Sequence, residues 1–334
     1  MKAAVLRAPR DLRIEDRPAP VAGPDEVTVR VTLAGICGTD YRIWTGDRPV
    51  AYPRVMGHEL VGVVEAVGPR VERVHPGDRV SVEPNYSCGV CPLCREGNRN
   101  LCLSRTAVGI DVDGGFAHMV TVPSRCCWRA PDGAPDEDLL LTEPLAVMVR
   151  AVDRGAPRPG ETAAVVGVGT LGLLALQVLC ARGARVLAVG RTAKRFDLAR
   201  GLGAAATRAI GDGDLAAAAR TFSGREGVDV VVETAGTAPA VQHALDLVRP
   251  GGRVVLTGLP HEASTVSFFG VVRREVTILG SMIYQDEFPE AMRLLAVGQV
   301  RARPLVTHRF ALDAIDTAFA AHRDPASIKV AVVL

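Results

Sequence analysis

Cys88, Cys91, Cys94 and Cys102 lie within fifteen residues of this 334-residue chain, spaced C-x2-C-x2-C-x7-C. Gaps this short can gather four thiolates around one point, as a tetrahedral zinc ion requires, with Zn–S bonds of ~2.3 Å. Four sulfur ligands leave no coordination position for water, so such a site braces a loop and does no chemistry. Cysteines two residues apart are poorly placed to bridge one another, and nothing else in the chain reads as secreted, so a disulfide framework is the weaker reading.

A second constellation follows a run of apolar residues. Ala-Val-Val-Gly-Val-Gly-Thr-Leu-Gly carries Gly167, Gly169 and Gly172 as G-x-G-x-x-G, with Thr170 and Leu171 inside the motif. It sits after a strand-like run and opens a helical one, the context in which these glycines admit a tight turn, a pyrophosphate and close helix packing. Free N–H groups and the dipole at the helix start would hold the phosphates. About 20 residues on, a carboxylate is expected to hold the ribose hydroxyls of NAD. Here the run is Val189-Gly190-Arg191-Thr192-Ala193-Lys194-Arg195. The acid is missing, and Arg191, with Arg195 nearby, can take a 2′-phosphate, so NADP is favoured over NAD.

A catalytic zinc needs protein ligands and an open position. Cys37, His58, Glu59 and Glu143 are the candidates; taken singly, each is as well explained as a core or surface residue. Their order is more telling. The chain resembles the zinc-dependent medium-chain dehydrogenases, such as alcohol, sorbitol and threonine dehydrogenases, over essentially its whole length. The resemblance rests on Gly35-Ile36-Cys37-Gly38-Thr39-Asp40, Gly57-His58-Glu59, the cysteine loop, Asp113-Gly114-Gly115-Phe116-Ala117, Thr142-Glu143-Pro144-Leu145-Ala146 and the Gly167 motif. It implies that Cys37 and His58 ligate a catalytic zinc and that Glu59 is a direct or exchanging ligand. Glu143 stands where alcohol dehydrogenases have a second cysteine and polyol dehydrogenases a glutamate, and the two carboxylates point to the polyol and sugar branch. Thr39 matches the family's hydroxyl relay. Where many members finish that relay with histidine, this chain has Arg42, which stays protonated and cannot act as a base. The resemblance also places Lys329 at the cofactor pyrophosphate, Gly258, Leu259 and Met282 around the nicotinamide amide, and Trp44, Tyr52, Phe116 and Leu259 around the substrate. Cys126, Cys127 and Cys180 read as packing; His75, His118, His243, His261, His308 and His322 read as structural or surface residues.

The elements that carry these residues fall into two kinds. Before residue 146 the chain reads as short strands (Val27–Leu33, Leu60–Val67, Arg79–Val82) punctuated by turn residues. From residue 146, strand-like runs at Ala163–Val166, Arg185–Val189, Val228–Val232, Arg253–Leu256 and Thr277–Leu279 alternate with helical stretches, the pattern of βαβ units and a parallel sheet. A helix over Glu287–Val297 and a strand over Lys329–Leu334 close the chain. The expected fold is α/β: a GroES-like β-rich catalytic domain of residues 1–145 with 283–334, and a Rossmann doubly wound domain of residues 146–282. The apolar stretch Thr162–Ala181 is long enough for a membrane span, but its glycines and lack of aromatic anchors favour a buried strand and helix.

Apolar content of 48% and a net charge of +2 suit a well-packed globule with no acidic partner. No basic stripe interleaved with aromatics is visible, which argues against a nucleic-acid binder. The N-terminus is too quickly charged for a signal peptide, and a cytoplasmic protein is expected. These readings converge on an oxidoreductase holding one catalytic and one structural zinc. It would transfer a hydride between NAD(P) and a secondary alcohol or ketone of a polyol, sugar or sugar-derived substrate. A homodimer or homotetramer is implied by the resemblance. The alternatives are an NAD-linked threonine- or butanediol-type dehydrogenase, and a zinc-braced nucleotide-binding protein without turnover.

Overall fold

The computed structural model describes residues 1–191, 193–259, 263 and 265–334; His261 and Thr192 of the readings above lie outside them. The chain divides into two compact units. One comprises Met1–Glu143, Ala291–Ala296 and Ala302–Leu334, the other Pro144–Glu290 and Val297–Arg301. The first crossing falls two residues before the position read from sequence. The return falls within the helix Phe288–Ala296, not ahead of it.

The first unit is built on strands with one face in the core. Its largest sheet has seven strands, and Glu26–Ile36 is its spine. One edge of that strand pairs antiparallel with Glu59–Val67. The other edge is shared: residues 26–30 pair with Met119–Pro123, and residues 33–36 with Lys329–Val333. The alternating Val-Thr-Val-Arg-Val-Thr-Leu places Val27, Val29 and Val31 in the core, where they meet Leu60, Val64, Phe116 and Phe319. Burial of that face supplies the driving force, roughly 25 cal/mol per Å² of apolar surface. The strands Lys2–Ala8 and Asp11–Asp16 form a hairpin that the punctuation of the N-terminus hides in the sequence.

The second unit is a six-stranded, wholly parallel sheet. In chain order its strands are Thr162–Val166, Arg185–Gly190, Ala206–Ala209, Val228–Glu233, Val248–Leu256 and Thr277–Gly280. In space they run 3-2-1-4-5-6, so the order reverses between Thr162–Val166 and Val228–Glu233. Ligands of open α/β sheets bind beyond the carboxyl ends of the strands at such a reversal. Both of those strands are buried at every residue, as a central parallel strand requires. The apolar stretch Thr162–Ala181 is the first strand and the helix Thr170–Ala181. Among the described residues no helix is long and apolar enough to cross a membrane.

Candidate metal centre and dinucleotide site

Sheet register assembles the candidate centre of the first unit. Gly35 pairs with Glu59 and Ile36 with Val330, so three neighbouring strands bring Cys37, Glu59 and Lys329 to one end of the sheet. Cys37 occupies the step from strand to helix, extended at φ −103° and ψ 160°, ahead of the helix Gly38–Thr45. His58 follows Gly57, whose φ of +94° disfavours a side chain; a Cβ there would also lie 2.8 Å from the Phe116 ring. Donor atoms of Cys37, His58 and Glu59 all lie within 4.8 Å of one another. Zinc bonds of ~2.0–2.3 Å put tetrahedral donors roughly 3.3–3.8 Å apart, so these residues fit a zinc ion. Glu143, second residue of the helix Thr142–Gly155, is also buried, but among the described residues it is not within that tight group.

A carboxylate that carried no role in the sequence reading organises this centre. Asp40, wholly buried, accepts from the backbone N–H of Cys37 at 2.9 Å and of Gly57 at 3.4 Å. Its Oδ1 also lies 3.2 Å from His58 Nδ1. One side chain thus caps the helix, fixes the turn before His58 and commits Nδ1, leaving Nε2 as the nitrogen for a metal. Burial opposes Asp40's charge, but the His58 ring and the Cys37 N–H outweigh it and hold the carboxyl below its usual range. Burial dominates at Glu143, pushing its carboxyl up to about 7 with Glu59 adding to the rise, against the pull of His58 and Lys329. The three-residue step from Cys37 to Asp40 was the available signal for this cap.

Lys329 requires a correction. The resemblance to the dehydrogenases places it at the cofactor pyrophosphate. Its ammonium instead donates to both Glu59 oxygens, at 2.7 and 2.6 Å, and to the Ile36 carbonyl at 3.3 Å. Lys329 is 3% exposed and Glu59 1%, so this is a buried ion pair. Gly35 makes it possible, because a Cβ there would come within 2.2 Å of Glu59 Oε2. Phe116 is a second correction: it is wholly buried, edge-on to Phe319, and belongs to the core and not to a substrate surface. Thr39 is half-buried in the first helical turn, and Arg42 lies one turn on.

The cysteine loop is a separate structure. The short strands Asn85–Tyr86 and Thr106–Ala107 pair and tie its ends together. All four Sγ atoms lie within 4.8 Å of one another, with Cys102 Sγ 3.5 Å from Cys88 Sγ and 3.9 Å from Cys91 Sγ, which fits a tetrahedral S4 zinc. Backbone N–H groups of Cys88, Cys91 and Ser104 donate to sulfurs. Backbone donors at Leu103 and Cys94 bring the Cys91 thiol down to about 6, favouring the thiolate a metal needs. Cys126 and Cys127 are buried elsewhere, and burial pushes both thiols up. Among the described histidines, only His58 joins a metal-capable cluster.

In the second unit the motif glycines stand where a dinucleotide would need them. Gly167, at φ +105°, ends the first strand; Gly169 precedes the helix Thr170–Ala181, with Leu171 half-buried in its first turn. A Cβ on Gly172 would fall 1.7 Å from the Gly167 carbonyl. At the end of the second strand, a Cβ on Gly190 would lie 2.4 Å from Val168 Cγ2, so a carboxylate there would have to displace packing. Arg195 donates to the Val168 carbonyl at 3.2 Å, and its guanidinium is held below its usual range by burial and then by Arg191. Two cations therefore share a neighbourhood beside Gly169. Gly258 and the exposed Leu259 follow the fifth strand, and Met282 the sixth.

Comparison with known proteins agrees with these two halves. Residues 23–132 match the family model of the alcohol dehydrogenase GroES-like domain, and residues 170–297 that of the zinc-binding dehydrogenases. The chain is similar to sorbitol dehydrogenase of Bacillus subtilis, 35% identical over 94% of this chain and 91% of that one. Among solved structures it is similar to a zinc-binding dehydrogenase of Sinorhizobium meliloti bound to NADP, with a TM-score of 0.95, 34% identity and coverage of 100% and 99%. An alcohol dehydrogenase of Escherichia coli complexed with NADH superposes with a TM-score of 0.93, 31% identity and the same coverage. The chain belongs to the zinc-dependent medium-chain alcohol and polyol dehydrogenase family.

Proposed function

We propose that this chain is an NADP-dependent, two-zinc dehydrogenase acting on a secondary hydroxyl, or the matching ketone, of a polyol, sugar or sugar-derived acid. The observation that carries the reading is the donor set at one end of the first sheet. It brings together one sulfur, one imidazole and one carboxylate, from Cys37, His58 and Glu59, with Nδ1 of the imidazole already committed to Asp40. Glu143 is a further buried carboxylate that His58 pulls towards its charged form. The similarity to a sorbitol dehydrogenase supports the substrate class. Cys37, His58 and Glu143 would hold the catalytic zinc, and Cys88, Cys91, Cys94 and Cys102 the structural one. When bound, the catalytic zinc supplies a Lewis acid at the substrate oxygen, and the nicotinamide supplies the hydride acceptor or donor.

The protein's own share is positional. Asp40 sets the imidazole, and Lys329 takes both Glu59 oxygens, which reduces Glu59's availability as a metal ligand. Thr39, two residues from Cys37, offers a hydroxyl that can accept the substrate proton and pass it outward, while Arg42 stays protonated at neutral pH and cannot accept it. Arg191 and Arg195 would bind the 2′-phosphate, an anion that relieves the repulsion between them. The backbone of Gly258 and Leu259 and the segment at Met282 would hold the nicotinamide amide. The assembly would be a homodimer or homotetramer, with the edge strand Thr277–Gly280 offering unpaired backbone groups to a second copy.

An assay at 340 nm across polyols, sugars, sugar acids and 2,3-diols, run separately with NADP and NAD, tests the reading. Chelator-sensitive turnover with NADP preferred is expected. A zinc-replete protein that binds dinucleotide and turns over none of these substrates would overturn it. Sedimentation velocity tests the assembly, and a monomer would refute that part alone.

A further inference from the structure

The second unit holds a buried carboxylate at its switch point that the dehydrogenase reading leaves unused. Glu233 ends the fourth strand, in register between Val166 of the first and Leu256 of the fifth, and is 0% exposed. Its Oε1 accepts from the backbone N–H of Ala235 at 2.6 Å and of Gly236 at 2.9 Å. Its Oε2 is buried with no hydrogen bond of good geometry and faces the Gly258 backbone, whose N–H favours the carboxylate's charge. A buried oxygen without a well-aligned partner costs free energy and calls for a reason. Capping two N–H groups needs one oxygen only. The second oxygen lies against Gly258, where an added Cβ would come within 2.7 Å of it and 2.2 Å of Gly236 N.

The contacts around Glu233 join three turns. Its backbone carbonyl accepts from Thr257 N at 3.0 Å, Thr257 Oγ1 at 2.9 Å and Gly258 N at 3.3 Å. The next residue, Thr234, donates through Oγ1 to the Val166 carbonyl at 3.1 Å and lies 3.3 Å from that of Gly167. Gly236, at φ +64°, packs so closely that a Cβ would stand 2.9 Å from Leu259 N. The phosphate turn at Gly167, the turn at Ala235–Gly236 and the turn at Gly258–Leu259 are therefore spaced by one short segment. Burial pushes the Glu233 carboxyl above its usual range, against the N–H groups that favour its charge.

We infer that Glu233 is a positioning residue that sets the Gly236 and Gly258–Leu259 turns for the nicotinamide half of the dinucleotide. The inference rests on the reading of Gly258–Leu259 as the nicotinamide-holding turn. The adenosine half lies at Gly169, Arg191 and Arg195 in that reading, whereas the bonds of Glu233 described above go to Ala235, Gly236, Thr257 and Gly258. Loss of its carboxyl should therefore divide the ligand in two.

The experiment is titration calorimetry with NADPH and with adenosine 2′,5′-bisphosphate, on wild type, Glu233→Ala and Glu233→Gln, each checked for its melting temperature. Glu233→Ala should weaken NADPH about tenfold and leave the bisphosphate within about twofold. Glu233→Gln keeps an acceptor for Ala235 and Gly236 and should restore NADPH affinity. If Glu233→Ala does not fold, Glu233→Asp, which withdraws the carboxyl by one methylene, should show the same division. Unchanged NADPH affinity in the Ala or Asp variant, or equal weakening of both ligands, overturns the inference while leaving the cofactor reading intact. Wild type that binds NADPH no more tightly than the bisphosphate overturns the cofactor reading, and the inference with it.

Discussion

The two cysteine-bearing centres of the first unit are built in opposite ways. In the loop, four candidate ligands of one type come from fifteen consecutive residues, and the backbone supplies their hydrogen bonds. At Cys37 the donors come from segments up to about a hundred residues apart, and buried side chains support them: Asp40 behind His58, Lys329 against Glu59. A local site needs a ribbon to close it. A non-local site needs a sheet in register and a second layer of charges, so its failure modes are more numerous. In the proposed reading, that difference separates bracing from chemistry.

Cys37→Ser should break the comparison most sharply. Turnover is expected to fall by about 10³-fold or more, in proportion to a lost catalytic metal, with one equivalent of zinc retained by elemental analysis. Cys91→Ser should do the reverse: the other equivalent leaves and the melting temperature falls, while folded protein keeps turnover within a few-fold. If both variants lose the same metal and the same activity, the division between centres is wrong. Next in size, Lys329→Met leaves the Glu59 carboxylate buried and alone, and urea unfolding should record a loss of about 3–5 kcal/mol. An equivalent change at the exposed pair Lys2–Asp313 should cost about 1 kcal/mol or less. Asp40→Asn keeps the shape but weakens the grip on His58. Zinc affinity or kcat should drop about 10–100-fold, read by competition with a chromogenic chelator.

Acidity gives a smaller test. Glu143's carboxyl titrates at about 7 in the fold against 4.5 ordinarily, so its stabilising protonated form is fully present below pH 4.5. That contribution is lost as pH rises through about 7, where the unfolded chain is already ionised. Zinc, which needs the ionised ligand, should therefore raise the melting temperature more at pH 8 than at pH 5.5. Glu143→Gln should flatten that dependence, and calorimetry at the two pH values with and without chelator measures it.

Much of this was legible because local pattern and burial agree in it. The alternation of Val27–Leu33 and the apolar runs at Ala163–Val166 and Val228–Val232 each have one dominant explanation, and each is a strand, extended by one to four residues. The weakly apolar strand Ala206–Ala209, half-buried throughout, gave no such signal. The cysteine loop was readable from spacing because its chemistry is contiguous. Lys329 was misread for the opposite reason: its partner lies 270 residues away, and nothing near it in the chain announces a buried carboxylate. Phe116 was misread because an aromatic between glycines and alanine suits a site or a core equally, and only packing decides.

The strand Lys329–Val333 has a consequence for biosynthesis. It completes the sheet that carries Cys37 and Glu59, yet it leaves the ribosome after the whole parallel sheet of residues 162–280. A nascent chain can finish its nucleotide-binding unit while the other unit still waits for its closing strand, and domains generally fold as units during synthesis. Until Lys329 emerges, Glu59 is a carboxylate without its cation beside Cys37 and His58. The metal centre proposed above is therefore assembled late, after the nucleotide-binding unit. A chain truncated before Ile328 would keep all four candidate ligands and still lack the centre that distinguishes them.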